Sequence, residues 1–87
     1  MKNNTALSRF ELEVNGHIAF ANYRIDSNII NIDYVYAPEI LRGTGAAGKL
    51  MNEIAKMAKK EQKKILPICS YAAVWLKKHK EYHHLLA

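Results

Sequence analysis

The stretch Arg42-Gly43-Thr44-Gly45-Ala46-Ala47-Gly48-Lys49-Leu50 divides the chain into two halves of different periodicity. Before it, residues alternate as in strands; after it, apolar residues recur at helical spacing. Three of the chain's four glycines fall here, flanked by two cations. Glycine allows a sharp turn and lets a ligand approach the main chain closely. A helix starting behind such a turn points free N–H groups and a positive dipole end outward, which suits phosphate. The stretch therefore reads either as an anion site for a nucleotide-like cofactor or as a tight strand-to-helix turn without a ligand.

Upstream, Arg9-Phe10-Glu11-Leu12-Glu13-Val14 alternates polar and apolar residues, as a half-buried strand does. Asn15-Gly16 is a strong hairpin signal. The returning strand, His17 to Ile25, offers Ile18, Phe20 and Tyr23 for burial. After a turn at Asp26-Ser27-Asn28, a third strand over Ile29 to Tyr36 is rich in β-branched and aromatic residues. Ala37-Pro38 ends it. These three strands are expected to form an antiparallel meander.

Downstream, the spacing predicts a helix over about Ala46 to Gln62, with Ala47, Leu50, Met51, Ile54, Met57 and Ala58 toward the sheet. Lys49, Asn52, Glu53, Lys56, Lys59 and Lys60 are expected to face water. Ile65-Leu66-Pro67-Ile68-Cys69 reads as a short strand, parallel to its partner because a crossover helix precedes it. Pro67 argues for an edge or splayed position. Ser70 is a candidate cap for a second helix, Tyr71 to about Lys78, and Glu81 to Ala87 reads as a further helical turn. The fold class is α+β.

Eighty-seven residues suit one domain, and a chain of this size buries only about 60% of its unfolded surface. A 49% hydrophobic and 24% charged composition is that of a globular chain. No apolar run approaches the ~20 residues that span a bilayer, and the polar start, Met1 to Thr5, is not a signal region. One cysteine, Cys69, cannot form an internal disulfide, which suggests a cytoplasmic chain. The net charge of +5 admits nucleic acid, anionic lipid or a phosphorylated small molecule as partner. Lys56, Lys59, Lys60, Lys63 and Lys64 carry much of it and read as a solvated helix face. No aromatic pattern accompanies them, so nucleic acid is not the expected partner. His79, His83 and His84 lack a third ligand at suitable spacing, so no metal site is expected, and a solvated tail is. Trp75 reads as core. Monomer and weak homodimer are both compatible with a small core and a short sheet edge.

The order of three strands, loop, helix, strand, helix, with R-x-x-G-x-A at Arg42, Gly45 and Ala47, resembles the GCN5-related N-acetyltransferases. Ile32-Asp33, Pro38-Glu39, Arg42-Gly43-x-Gly45 and Ile68-Cys69-Ser70-Tyr71 are similar to the very small, single-cysteine N-acetyltransferase domain-containing proteins, over roughly residues 8–86. The resemblance implies a minimal version of the fold, without the helices that usually follow the first strand, and a fourth strand splayed from the third. It implies acetyl-coenzyme A as cofactor, with the backbone of Arg42, Gly43, Thr44, Gly45, Ala46, Ala47 and Gly48, and with Lys49, around the pyrophosphate. Val35 and Tyr36 would bond the pantetheine arm, and Ser70 and Tyr71 would line the opening. Cys69 would lie near the thioester, either as a nucleophile or as a buried structural thiol. Tyr71, with Tyr34, Tyr36 and Tyr82, is a candidate proton donor; Asp33 and Glu39 are candidate bases. Relatives often carry His-Thr where this chain has Tyr34-Val35. The expected activity is acetyl transfer to an unidentified amine. A coenzyme A–binding module with little catalysis and a basic interaction domain are the alternatives.

Overall fold

The computed structural model describes residues 1–87. One mixed sheet carries five strands in chain order: β1 (Lys2–Asn4), β2 (Arg9–Val14), β3 (His17–Asp26), β4 (Ile29–Tyr36) and β5 (Lys64–Pro67). The first three pairings are antiparallel, and β5 runs parallel to β4 after the crossover helix α1 (Ala46–Lys60). A second helix, α2 (Ser70–Lys78), and a 3-10 helix, Lys80–Leu85, complete the chain.

The expected meander, crossover and parallel strand are present. The strand β1 was not expected from the polar sequence Lys2-Asn3-Asn4. Polar side chains hold it: Asn4 Nδ2 donates to Glu11 Oε2 at 3.0 Å, and the Tyr23 hydroxyl donates to Asn3 Oδ1 at 2.7 Å. Ser70 is the first residue of α2 rather than its cap. Cys69 takes the cap position in extended conformation, and no side chain caps the helix.

Both helices lie on one face of the sheet. Ala19, Ala21 and Tyr23 on β3 point at them and are buried, which leaves Phe20 half-buried and Ile18 exposed on the opposite face. The expected burial of Ile18 and Phe20 is therefore corrected. Alternation fixed the two faces of β3 but not which one the helix covers; the small Ala19 and Ala21 let α1 approach the sheet closely. Leu50, Met51, Ile54, Ala55 and Ala58 of α1 are wholly buried against it. Removing the side chain of Ile54 by substitution with alanine would cost about 2–5 kcal/mol, transfer and cavity together.

The end of α1 is a Schellman turn. Gln62 takes a φ of 57°, Lys63 N–H donates to Ala58 O at 2.8 Å, and Gln62 N–H to Lys59 O at 3.3 Å. That turn delivers the chain to β5, where Lys64 N–H donates to Asn28 O.

The tail is solvated only in part: His83 and His84 are exposed as expected, while other residues pack inward. Tyr82 and Leu85 are buried, and the Tyr82 hydroxyl donates to Asn52 Oδ1 at 3.2 Å, so Asn52 is half-buried. Trp75 is core, with His79 stacked on its ring at 3.8 Å between centroids. The His79 and His83 rings do not converge: His79 Nδ1 pairs with Trp75 O, and His83 Nε2 with Lys77 O. Beyond them Leu86 bridges Ile65 in parallel, and Ala87 N–H donates to Ile65 O.

Candidate active site

The β4–β5 ladder is short. Its register runs Ile29 to Lys64, Ile30 to Ile65, Asn31 to Leu66 and Ile32 to Pro67, and there it stops. The N–H groups of Ile68 and Cys69 both turn back to Ile32 O, each at 3.0 Å. Beyond that point Asp33 to Tyr36 continue β4 with no ladder neighbour on the β5 side. Two local causes produce this opening. Pro67 has no N–H to continue the ladder. On the other side of β4, the register with β3 jumps from Tyr23–Ile32 to Asn22–Tyr34, which makes Asp33 an extra, bulged residue. A bulge bends a strand and increases its local twist, and this one falls where the β4–β5 pairing ends. The expected splay is thus present, and Val35 and Tyr36 border it.

Beyond β4, a 3-10 turn over Glu39–Leu41 leads into the glycine stretch. Gly43 and Gly45 both have φ of 82°, which a side chain would strain, and Gly45 is the cap of α1. Thr44 organises the turn: its hydroxyl donates to Leu41 O and accepts from Ala46 N–H, and its own N–H donates to Leu41 O. Lys49 N–H, in turn, donates to Gly45 O at 2.9 Å. The N–H groups of Gly43, Gly45, Ala47 and Gly48 have no partner within the protein. A helix start leaves such donors free, with the positive end of the dipole behind them. Arg42 Nε donates to Ala37 O at 3.2 Å, which anchors that side chain at the end of β4 while its other guanidinium donors stay in solvent.

These elements enclose a cleft of about 390 Å³ lined by Ala37, Leu41, Arg42, Gly43, Gly45, Ala46, Ala47, Gly48 and Tyr71. The glycine turn and Tyr71 are brought together across it. Gly48 makes this possible: a β-carbon there would stand 3.6 Å from Trp75 Nε1 and 3.8 Å from the Tyr71 hydroxyl. Burial raises the Tyr71 hydroxyl above the ordinary tyrosine range, so it is a neutral donor at any physiological pH. Val35, Tyr36, Thr44, Lys49, Ser70 and Cys69 do not line the cleft. Thr44 supports it from behind, Lys49 and Ser70 are exposed at its flanks, and Cys69 is half-buried against the core at the base of the splay. Ala37 and Leu41 line the cleft without having been expected to. The signal for Ala37 was its place just before Pro38, at the end of the third strand.

The carboxylate of Asp33 is held by Arg24, which donates from Nε at 2.7 Å and Nη2 at 2.9 Å. This pair keeps Asp33 well below the usual carboxylate range. Glu39, the other candidate base, is an exposed residue of the 3-10 turn.

An antiparallel sheet with a parallel last strand, a bulged strand splayed from it, and a glycine turn at the start of the crossover helix define an acetyltransferase fold. The sequence model of GCN5-related N-acetyl-transferase matches residues 9–85. The chain belongs to that family and is an acetyltransferase of the GCN5-related type. It is similar to the NMR solution structure of a GCN5-like candidate N-acetyltransferase from Staphylococcus aureus, with a TM-score of 0.70 and 26% identity. That similarity covers 100% of this chain and 91% of the other. A comparison with curated proteins finds no match. No helix is long and apolar enough to cross a membrane.

Proposed function

We propose that these 87 residues act as one domain that transfers an acetyl group from acetyl-coenzyme A to an amine. The observation that carries this reading is the row of unpartnered N–H groups at Gly43, Gly45, Ala47 and Gly48, which opens on the same cleft as Tyr71. Donors of this kind fit a pyrophosphate, and coenzyme A would supply an activated thioester. Arg42 adds positive charge at the rim, and the net charge of +5 favours an anionic ligand. The unpaired edge of β4 at Val35 and Tyr36 offers backbone donors and acceptors to an extended arm, as a strand edge does for an added strand.

The residues of the chain have three tasks in such a transfer. The edge of β4 supplies N–H groups for the oxyanion, a contact whose loss in other acyl transfers costs about 3–4 kcal/mol. The turn and the α1 start hold the phosphates. Tyr71 donates a proton to the departing thiolate. A C–N bond forms as the C–S bond breaks; the amine gives up a proton and the sulfur gains one.

Cys69 stands at the base of the splay as the candidate nucleophile for an acyl-cysteine route. Its packing against the core favours direct transfer to the amine instead. Mass spectrometry after incubation with acetyl-coenzyme A separates the two routes: a stable acetyl adduct that Cys69→Ala abolishes would establish the covalent one.

One observation supports a second reading, a coenzyme A–binding module with little turnover. Asp33 is tied to Arg24 and is a poor base. Thermal denaturation with acetyl-coenzyme A tests the shared part of both readings. At 100 times the dissociation constant the ligand adds about 2.7 kcal/mol, on the order of 10 °C or more for a domain of this size. No shift at millimolar concentration would overturn both. Release of free thiol in the presence of amines then separates enzyme from binder.

A further inference from the structure

The indole of Trp75 is buried, 8% exposed, with the His79 ring stacked on it at 3.8 Å and the Tyr82 ring 5.9 Å away. Its nitrogen is not satisfied within the core. Trp75 Nε1 is the nearest atom of another element to a β-carbon built on Gly48, at 3.6 Å, so it faces the first turn of α1. A buried tryptophan N–H ordinarily finds an acceptor. This one donates to no atom of the protein. No fully buried side-chain nitrogen or oxygen lacks a partner, so Nε1 is where the ring reaches the surface.

Around Nε1 stand donors without acceptors. The Tyr71 hydroxyl lies 3.8 Å from the same point, and the N–H groups of Ala47 and Gly48 are free. The first turn of α1 carries no acidic residue, and neither does α2. An acceptor other than solvent therefore comes only from a bound molecule, and the positive end of α1 favours an anionic one. The helix α2 starts at the splay, and Trp75 lies four residues beyond Tyr71, about 6 Å further along its axis. Trp75 is thus placed for the phosphate end of a ligand whose other end lies at the splay.

On the reading of this chain as an acetyl-coenzyme A–dependent acetyltransferase, we propose that Trp75 is a cofactor-binding residue, its indole N–H donating to a phosphate oxygen held at the start of α1. The glycine turn supplies main-chain donors to that phosphate, and α2 supplies a side-chain donor. The His79 stack fixes the ring, and His79 Nδ1 is itself paired with Trp75 O at 2.7 Å, so the donor is in place before the ligand arrives.

The test uses the full chain. Trp75 is its one tryptophan, so isotope-labelled protein gives a single indole N–H resonance. Coenzyme A and adenosine diphosphate should each move that resonance downfield and slow its exchange with solvent; pantetheine, which lacks phosphate, should do neither. Trp75→Phe keeps a ring against His79 and removes the N–H. Its Kd for coenzyme A, by titration calorimetry, should rise about tenfold or more, as for loss of a hydrogen bond to a charged group. The indole signal is read in wild-type protein, so it does not depend on how well the variant folds. A shift caused by pantetheine, or none with millimolar adenosine diphosphate, overturns the inference. So does an unchanged Kd in Trp75→Phe. If coenzyme A raises the melting temperature of wild-type protein while the indole resonance stays in place, only the role of Trp75 falls; if it raises neither, the cofactor reading falls first.

Discussion

The Tyr71 hydroxyl approaches to 3.8 Å of the place a β-carbon on Gly48 would occupy, so α1 and α2 meet across the cleft at a glycine. The spacing is ordinary van der Waals contact, and Gly48 has helical backbone. Gly48→Ala should therefore fold normally and gain up to about 1 kcal/mol from helix propensity. Gly48→Leu would force its branches into Trp75 and Tyr71, at a cost of about 1–3 kcal/mol for overpacking. Thermal denaturation of the two variants should move in opposite directions, and only the leucine variant should lose its acetyl-coenzyme A shift.

Gly45 poses a different problem. No atom lies within 4 Å of a β-carbon built on it, so space is not the constraint. Its φ of 82° is. A left-handed conformation costs an ordinary residue about 1–2 kcal/mol, while asparagine tolerates it better. Gly45→Ala should lower the melting temperature, and Gly45→Asn should lower it less. Relaxation of that strain would re-aim the N–H groups of Gly45 and Ala47. The alanine variant should thus lose affinity for coenzyme A, measured by titration calorimetry, beyond its loss of stability.

The glycine turn was legible because two glycines in left-handed conformation and a helix start leave a compositional mark. The meander and the crossover were legible from periodicity. Three features that shape the site were not. The bulge at Asp33 adds a single residue to β4, and alternation over eight residues does not register it. The strand β1 is held by Asn3 and Asn4 through hydrogen bonds to Tyr23 and Glu11, with no apolar pattern to announce it. The indole N–H of Trp75 meets Gly48 from another helix, so no stretch of sequence contains the pair. In β3 both phases of the alternation carry apolar residues, and the choice of Ala19 and Ala21 over Ile18 and Phe20 for the helix side depends on how closely α1 must approach.

The two carboxylate–arginine pairs on the helix-free face make stability depend on acid. Hydrogen bonds from Arg9 and Asn4 lower the Glu11 carboxyl below its usual range, and hydrogen bonds from Arg24 lower Asp33. A group depressed in the folded state stabilises it above the unfolded value, about 4, and that contribution is lost as pH falls through the lower folded value. Melting temperature should therefore hold from pH 7 to about 5 and fall below about 4. Arg24→Gln should flatten the Asp33 part of that fall. The effect is modest because Arg24 is well exposed, and raised salt should shrink it further.

On the proposed reading Tyr71 protonates the departing thiolate, and the tyrosinate it leaves recovers the proton that the amine gives up. Desolvation raises its hydroxyl, so the donor form persists beyond the pH at which a free tyrosine ionises, about 10. Tyr71→Phe keeps the ring and removes the hydroxyl that borders Gly48. A general acid typically contributes about 10²–10⁴-fold, so kcat for acetyl transfer should fall in that range while the KM for acetyl-coenzyme A changes little. A structural role would leave kcat intact in the phenylalanine variant. The pH profile gives a second readout, since wild-type activity should decline only on the alkaline side of the ordinary tyrosine value and the variant should lack that limb. If Tyr71→Phe retains full kcat, solvent must protonate the leaving thiolate, and the cleft serves only to bind.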